Sequence, residues 1–159
     1  DNASLTPMKL RTKARRAVRR RGVKMIMVDY LQLMVTAGKS ENRAQEVSQI
    51  TRGLKQLAKE IGVPVVSAAQ LNRDVEKRQD KRPQLSDLKE SGSIEQDSDV
   101  VLFLYREDYY DENSTRANQA DVIVAKHRNG ATGVATLFFR KELTAFSNLT
   151  RKGVDLAGY

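Results

Sequence analysis

An apolar run leads into a single carboxylate in the segment Lys24-Met25-Ile26-Met27-Val28-Asp29-Tyr30-Leu31-Gln32-Leu33-Met34. A continuous run such as Met25 to Val28 is typical of a strand that is buried on both faces of a parallel sheet. Because an unpaired carboxylate inside such a strand costs free energy, we expect Asp29 at the carboxyl end of the strand. Open α/β sheets bind their ligands at that end, so the stretch predicts a ligand site beside Asp29.

Asp29 has two interpretations from these residues alone. A buried strand that ends in Asp has the pattern of a Walker B segment, whose carboxylate helps to hold the Mg²⁺ ion of a bound nucleotide. The same short pattern also occurs where an Asp simply ends a core strand. The tripeptide Gly38-Lys39-Ser40 does not decide between them, because a phosphate-binding P-loop needs a glycine five residues earlier, and position 33 is Leu.

The residue counts exclude several classes of site. The chain has no cysteine and a single histidine, so disulfides, thiolate metal sites and His-rich metal sites are not expected. We also expect no membrane association, because there is no apolar run of about 18 residues and no signal-peptide pattern. The formal net charge of +8, from 28 Lys and Arg against 20 Asp and Glu, favours a polyanion as partner, with nucleic acid first.

A basic helix is predicted at the start of the chain. Thr6 is its expected N-cap, Pro7 its first residue and Gly22 its end. Outside one narrow apolar stripe, most of its side chains are cationic: Lys9, Arg11, Lys13, Arg15, Arg16, Arg19, Arg20 and Arg21. The helix can bind DNA, or it can be a solvated outer helix. We favour the second interpretation, because charged helix faces are usually just exposed to water.

A second strand follows a predicted amphipathic helix. The helix covers about residues 41–61, with Ser40 as N-cap and Gly62 at its end, and the strand is Pro64–Ala69. A strand, helix and strand in this order form a right-handed crossover, so the two strands should be parallel. Gln70 would then end the second strand as Asp29 ends the first, and a neutral amide there can bind a γ-phosphate or its attacking water. A Gln that merely ends a strand is the alternative.

The segment from residue 85 to residue 97 is predicted to form an anion-binding turn. Gly92 permits close approach of a backbone, and Ser93 is expected to cap a short helix whose N–H groups face an anion beside Lys89. The segment has no aromatic residue, so it would bind a nucleic-acid backbone with little sequence specificity.

The last part of the chain predicts further strands and a basic hairpin. A third buried strand is expected over 100–105. Further strands are expected over 121–126, 132–139 and 145–149, with Asn129-Gly130 as a type I′ turn. Lys126 and Arg128 would then lie at the tip of a hairpin and be able to reach a neighbouring molecule. In NTPases, an arginine supplied by a neighbour stabilises the transferring phosphoryl group, although a solvated basic turn gives the same pattern.

Taken together, these segments resemble the C-terminal part of the DnaB-family replicative DNA helicases. The matching stretches are Val28–Met34, Ala69–Arg73, Asp80–Pro83, Ser86–Asp99 and Lys126–Gly130, and the likeness covers about residues 5–149. The resemblance implies an α/β, RecA-like, mostly parallel sheet that is flanked by helices and ends in an antiparallel hairpin. This partial motor domain would span residues 1–150, with a loose tail over 151–159.

The resemblance also implies roles for particular residues. Asp29 would hold Mg²⁺, and Gln70 would sense the γ-phosphate of ATP. Lys126 and Arg128 would reach the ATP of the neighbouring subunit. The residues implied to bind single-stranded DNA are Arg73, Lys89, Glu90 and Gly92.

At the level of the whole assembly, the resemblance implies a hexameric ring of identical subunits that moves 5′ to 3′ on single-stranded DNA. Its cofactors would be ATP and Mg²⁺, its partners a primase and a helicase loader, and its location the cytoplasm. The absence of cysteine fits a reducing compartment.

The chain departs from the family pattern at three points. It contains no G-x-x-x-x-G-K-[ST] motif, Tyr30 rather than a carboxylate follows Asp29, and Lys89 stands where the family usually has arginine. We therefore expect that this chain alone neither binds ATP tightly nor hydrolyses it. Two other functions stay open: a non-catalytic fragment that binds single-stranded DNA or helps a ring to assemble, and a different RecA-fold ATPase.

Overall fold

The computed structural model describes residues 5–36 and 42–149, apart from the side chains of residues 89–91. Contacts between residues divide the chain into an amino-terminal unit, residues 1–98, and a carboxy-terminal unit, residues 99–159. The helices are α1 (Pro7–Arg21), α2 (Arg43–Ile61) and α3 (Gly92–Asp97). The strands are β1 (Ile26–Val28), β2 (Val65–Ser67), β3 (Val100–Tyr105), β4 (Gln119–His127), β5 (Gly133–Arg140) and β6 (Ala145–Asn148). Within the described ranges, no helix is long and apolar enough to cross a membrane.

The ends of α1 follow from its sequence. The hydroxyl of Thr6 accepts a hydrogen bond from the Lys9 amide at 3.2 Å, Pro7 is the first helical residue, and Gly22 ends the helix with a φ of 62°. A left-handed φ of this kind favours glycine, because glycine has no Cβ to clash. The predicted bounds of α1 are therefore confirmed.

Six of the eight cations of α1 fall into two groups. Arg11 and Arg15 form ion pairs with Glu60 of α2 at 2.6 and 3.2 Å. Lys13, Arg16, Arg20 and Arg21 line a depression along α1 itself, together with Thr12 and Ala17. The structure thus assigns a packing role to the first group only.

Helix α2 contributes four apolar side chains to the core of the amino-terminal unit. Its buried apolar side chains are Val47, Ile50, Leu54 and Leu57. The N-cap is Asn42, whose side chain accepts a hydrogen bond from the Ala44 amide at 2.9 Å. The predicted cap, Ser40, lies outside the described residues, and the predicted end at Gly62 is confirmed.

Strands β1 and β2 are parallel, with Ile26 paired to Val65 and Val28 to Ser67. This confirms the predicted parallel pairing of the two strands that α2 connects. The expectation that β1 is buried on both faces is wrong, because Met27 is 71% exposed while Val28 is buried. No described residue covers the face of β1 on which Met27 lies.

The carboxy-terminal unit is a four-stranded antiparallel sheet in the order β3-β4-β5-β6. The α/β class and the antiparallel end of the fold are as predicted, but β3 belongs to this antiparallel group as well. Strand β3 is also not buried on both faces: Val101 and Phe103 are buried, whereas Leu102 and Leu104 are exposed. Alternation of this kind is usual in antiparallel sheets that are covered on one face.

A buried ion pair fixes the chain before β4 to the sheet. Asp121 is 1% exposed, and its two carboxylate oxygens accept hydrogen bonds from Arg116 at 2.9 and 2.7 Å. The Thr136 hydroxyl of β5 donates a third bond at 2.8 Å. The hydrogen bonds to Asp121 raise the pKa of Arg116, although partial burial of the guanidinium opposes this. The Arg116 guanidinium therefore stays charged across the neutral range.

Replacement of Asp121 by asparagine is expected to lower the free energy of unfolding by about 2 kcal/mol. Breaking a fully buried pair costs about 3–5 kcal/mol, and we reduce this figure because the Arg116 side chain is 31% exposed. Urea unfolding followed by circular dichroism measures the change. The exposed residue Glu112 provides the control, since Glu112→Gln should change the free energy by less than about 0.5 kcal/mol. Equal effects of the two substitutions would contradict a structural role for the buried pair.

Candidate functional site

Asp29 and Gln70 lie at the same edge of the parallel pair. Asp29 directly follows β1, and Gln70 lies three residues beyond β2. The ladder continues past both strands, since the Ala68 amide donates to the Val28 carbonyl at 3.0 Å and the Leu31 amide donates to the Ala68 carbonyl at 2.9 Å. The structure therefore places the two residues at the carboxyl edge, where the sequence predicted them, while their chemical roles stay predictions.

The surroundings of Asp29 fit a magnesium ligand. Its side chain is exposed, and among the residues that the structure describes it has no ion-pair partner. No cluster of three or more His, Cys, Asp or Glu residues that could hold a metal ion occurs in the described ranges. A lone carboxylate is still sufficient for Mg²⁺, because that ion is usually bound by one or two carboxylates together with waters and substrate phosphates.

The segment predicted to bind DNA is fixed at its start by Asp87. The segment consists of a 3-10 helix, Leu85–Ser91, followed by α3. Asp87 is 8% exposed, and its Oδ2 accepts hydrogen bonds from the Gln84 amide at 2.7 Å and from Arg78 Nη2 at 2.9 Å. The Asp87 carbonyl accepts a further bond from the Asn72 amide at 3.0 Å. The segment is thus bonded to the chain two residues after Gln70.

The other end of the segment is fixed to the core. Asp97, the last residue of α3, accepts a 2.5 Å hydrogen bond from the Thr51 hydroxyl, and Thr51 is a buried residue of α2. Both ends of the segment therefore have defined positions, and residues 89–92 lie between them. Lys89 and Glu90 belong to the 3-10 helix, but their side chains lie outside the described part of the structure.

Gly92 has no structural need to be glycine. It adopts a right-handed conformation, with φ at −50° and ψ at −25°, and a Cβ atom added there would meet nothing within 4 Å. The predicted N-cap role of Ser93 is wrong, because α3 begins at Gly92 and Ser93 lies inside it. Its hydroxyl is buried and has no hydrogen-bond partner among the described residues.

Arg73 lies near Gln70 in the sequence and is accessible. It begins the 3-10 helix Arg73–Lys77, which the Asn72 side chain caps by accepting a bond from the Asp74 amide at 3.1 Å. The Arg73 side chain is exposed. Its position is compatible with the predicted contact to DNA.

The basic loop between β4 and β5 is wider than predicted. Pairing between these strands ends at Val124 and Gly133, while on its other edge β4 stays paired with β3 as far as His127 and Val100. A type I′ turn needs a positive φ at both of its central residues, and neither Asn129 nor Gly130 has one. The predicted type I′ turn is therefore wrong.

Arg128 is exposed and weakly held. Its Nε lies 3.5 Å from Oδ1 of Asp99, and the side chains of both residues are about half exposed, at 52% and 54%. Ion pairs at such exposed positions contribute at most about 1 kcal/mol, so the guanidinium can exchange this partner for another anion. Lys126 lies two residues earlier and is half-buried. Nearby, the His127 ring lies over Gly130, where a Cβ atom would overlap it.

Two residues beside the site were missed by the sequence reasoning. The Gln32 side chain is hydrogen-bonded to both main-chain groups of Gln70. Asp87 fixes the start of the segment of residues 85–97 that is predicted to bind DNA. A signal was present for Gln32, because it is a polar residue between Leu31 and Leu33. Asp87 is one of several acidic residues in a polar stretch, and nothing in the sequence distinguished it.

Comparisons with known proteins agree on one family. The family described as DnaB-like helicase C-terminal domain matches residues 1–148 of this chain. The replicative DNA helicase DnaB of Geobacillus stearothermophilus is 52% identical over 153 residues, which is 96% of this chain and 34% of that protein. The replicative DNA helicase DnaC of Bacillus subtilis is 50% identical, over 98% of this chain and 34% of that protein. The chain thus spans about a third of the curated relatives that it matches.

Solved structures give the same result. A chain described as an ATPase domain superimposes with a TM-score of 0.91 at 47% identity, over 94% of this chain and 54% of that chain. A DnaB-like replicative helicase, solved in a study of its interactions with primase, gives a TM-score of 0.90 at 47% identity, over 94% of this chain and 37% of that one. The predicted RecA-like helicase fold of a partial domain is therefore confirmed.

Proposed function

Because the chain belongs to the family of DnaB-like helicase C-terminal domains, we propose that it is part of the motor of an ATP-driven replicative DNA helicase. Residues 1–150 would form the carboxy-terminal portion of one motor domain, followed by a tail over residues 151–159. The observation that carries the proposal is the shared edge of β1 and β2, where Asp29 and Gln70 lie. The segment of residues 85–97 that is proposed to bind DNA is hydrogen-bonded to Asn72, two residues after Gln70. The cytoplasmic location predicted from the sequence is part of the same proposal.

Nucleotide chemistry is assigned to the carboxyl edge of β1 and β2. Asp29 would supply the protein carboxylate on Mg²⁺, and the bound ion would neutralise charge on the phosphates of ATP. Gln70 would bind the γ-phosphate or orient the attacking water. The chain itself lacks a phosphate-binding loop, so we expect no steady-state ATP turnover from this chain alone.

Binding of single-stranded DNA is assigned to the segment around Gly92. Lys89, Glu90 and Gly92 would follow the DNA backbone, with Arg73 close by in the sequence. The support is that a Cβ atom at position 92 would meet no other atom within 4 Å, so the position is open to close approach by a ligand. The net charge of +8 favours the same partner.

Contact with the neighbouring subunit of the ring is assigned to the basic loop between β4 and β5. Lys126 and Arg128 would reach the ATP of the next subunit in a hexamer, because Arg128 is exposed and its own ion pair is weak. A primase and a helicase loader would be partners of the complete protein. One solved relative, at 47% identity, comes from a study of interactions with primase, which supports the first of these partners.

The direct test is DNA unwinding by a chimera, in which this chain replaces the matching third of the Geobacillus stearothermophilus helicase. We expect the chimera to separate a forked duplex in the presence of ATP and Mg²⁺ when the loading strand has a 5′ tail. Unwinding only from a 3′ tail, or none in a folded chimera, would contradict the proposed motor. ATP-independent binding of DNA without unwinding would instead favour the non-catalytic function.

A single methyl group at position 92 should separate DNA binding from stability. In the chimera, Gly92→Ala is expected to weaken binding to single-stranded DNA about tenfold, or about 1.4 kcal/mol, because the Cβ atom would stand where the DNA backbone approaches. It should not lower the melting temperature, since alanine is preferred to glycine in a helix. Fluorescence anisotropy and thermal unfolding measure the two effects.

Gly133 offers a matched control for this substitution. It is also exposed, and a Cβ atom there would likewise meet nothing within 4 Å, but it lies at the start of β5. Gly133→Ala should leave DNA binding unchanged. Equal affinity of the Gly92 variant and the parent chimera for single-stranded DNA would contradict the proposed contact between Gly92 and DNA.

A further inference from the structure

The main chain of Gln70 has an unusual hydrogen-bond partner. The Gln70 amide donates to Oε1 of Gln32 at 3.2 Å, and the Gln70 carbonyl accepts from Nε2 of the same side chain at 3.3 Å. A single side chain thus satisfies both main-chain groups of the residue proposed to sense the γ-phosphate.

The local structure explains why a side chain takes this position. After β1 the chain turns into a 3-10 helix, Leu31–Leu33. The carbonyls of Tyr30 and Leu31 accept bonds from the amides of Leu33 and Met34 within that turn. These carbonyls are therefore occupied within the turn. Because the main-chain groups of Gln70 need partners, the side-chain amide group of Gln32 takes the place of a main-chain partner on the β1 side of the edge.

Gln32 is itself held in place. The main-chain carbonyl of Gln32 accepts a 2.6 Å hydrogen bond from Nη2 of Arg43, and Arg43 forms an ion pair with Glu46. The Thr36 amide donates to Glu46 at 3.1 Å. This backbone bond, followed by the bond from Arg43, lowers the pKa of Glu46 against the effect of partial burial. The carboxylate that orients Arg43 therefore stays charged at neutral pH.

We propose that Gln32 is a positioning residue for ATP hydrolysis, which fixes the main chain of Gln70 relative to the strand that ends in Asp29. The inference rests on the proposed function of Gln70. Gln32 does not touch the substrate; it sets where the Gln70 side chain begins. Displacement of a reacting group by about 1 Å can cost about 100-fold in rate, so loss of this clamp should lower the rate of turnover rather than the binding of ATP.

The test substitutes Gln32 in the chimera by methionine, which has a similar length and cannot make either bond. We expect the kcat of DNA-stimulated ATP hydrolysis to fall about 10- to 100-fold, with KM for ATP within about twofold of the parent value. Hydrogen exchange of the Gln70 amide should become faster. Gln32→Glu keeps only the acceptor and should give an intermediate loss, which provides a second variant if the methionine variant does not assemble.

Two comparisons make the outcome decisive. Gln56 is an exposed residue of α2, and Gln56→Met should change neither kcat nor exchange at Gln70. In a Gln70→Ala background, Gln32→Met should cause no further loss, because the residue through which it acts is gone. Losses that multiply in the double variant, or a Gln32 variant that behaves like the Gln56 control, would overturn the inference.

Failure of the proposed function gives a different result. If Gln70→Ala itself leaves ATP turnover unchanged, Gln70 is not the sensor. Exchange of the Gln70 amide then decides alone whether Gln32 holds this main chain: faster exchange in the methionine variant supports the clamp, and unchanged exchange rejects it.

Discussion

Replacement of Asp29 by asparagine in the chimera is expected to lower ATP turnover about 1000-fold. A bound metal ion contributes several kcal/mol to stabilising the charge of the transition state, and each 1.36 kcal/mol corresponds to a factor of ten in rate. Asp29 is exposed at the carboxyl end of β1 and has no ion-pair partner in the described part of the chain, so little of this loss should come from the fold. A coupled-enzyme assay at saturating ATP and Mg²⁺ measures it.

Asp111 provides the control for the Asp29 substitution. It is also exposed, and its Oδ1 accepts a hydrogen bond from the Asn113 amide at 2.9 Å, which asparagine can replace. Asp111→Asn should keep the turnover of the parent chimera. If the Asp29 variant also kept that turnover, Asp29 would be only the end of a core strand.

Arg128→Ala is expected to lower ATP turnover by a similar factor, through a different subunit. An arginine supplied to a neighbouring NTP site contributes about 10³ to 10⁵ in rate. The exposed ion pair with Asp99 contributes little to stability, so the variant should unfold at the temperature of the parent. The measurement is turnover together with the assembly state from analytical ultracentrifugation, since a lost ring would also lower the rate.

Arg52 is a suitable control for Arg128. It is an exposed residue of α2, and among the described residues it has no ion-pair partner. Arg52→Ala removes the same charge and should keep at least half of the parent turnover. Full turnover by the Arg128 variant in assembled rings would limit the loop to a solvated basic turn.

The local parts of the fold could be predicted because local signals determine them. Thr6, Pro7 and Gly22 set the ends of α1 through capping and a left-handed φ. The order of strand, helix and strand determined the parallel pairing of β1 with β2. The edge position of Asp29 and Gln70 followed from that pairing and needed no further information.

The parts that failed depend on distant partners. The type I′ turn at Asn129 and Gly130 was wrong because the ladder between β4 and β5 already ends at Val124 and Gly133, which leaves a wider loop between the strands. The register of a strand is set by its neighbours and is not visible in a dipeptide. The predicted burial of β1 and β3 was wrong for a related reason. An apolar sequence shows that both faces of a strand can be buried, but not whether another element packs on each face, and Met27 and Leu104 are not covered by the described residues.

Gln32 shows a third limit of sequence reasoning. Its role depends on two hydrogen bonds to a residue 38 positions later, and these bonds exist only because the chain turns into a 3-10 helix directly after β1. The polar residue was visible within the apolar run, but the partner was not.

We propose that each ATP site combines Asp29 of one subunit with Arg128 of the next. The most direct measurement is the ATP turnover of rings co-assembled from equal amounts of the Asp29→Asn and Arg128→Ala chimeras. Each variant alone should be inactive, and mixed rings should recover turnover because about a quarter of their interfaces join an intact Asp29 to an intact Arg128. Mixed rings that are no more active than the two variants alone would contradict the claim.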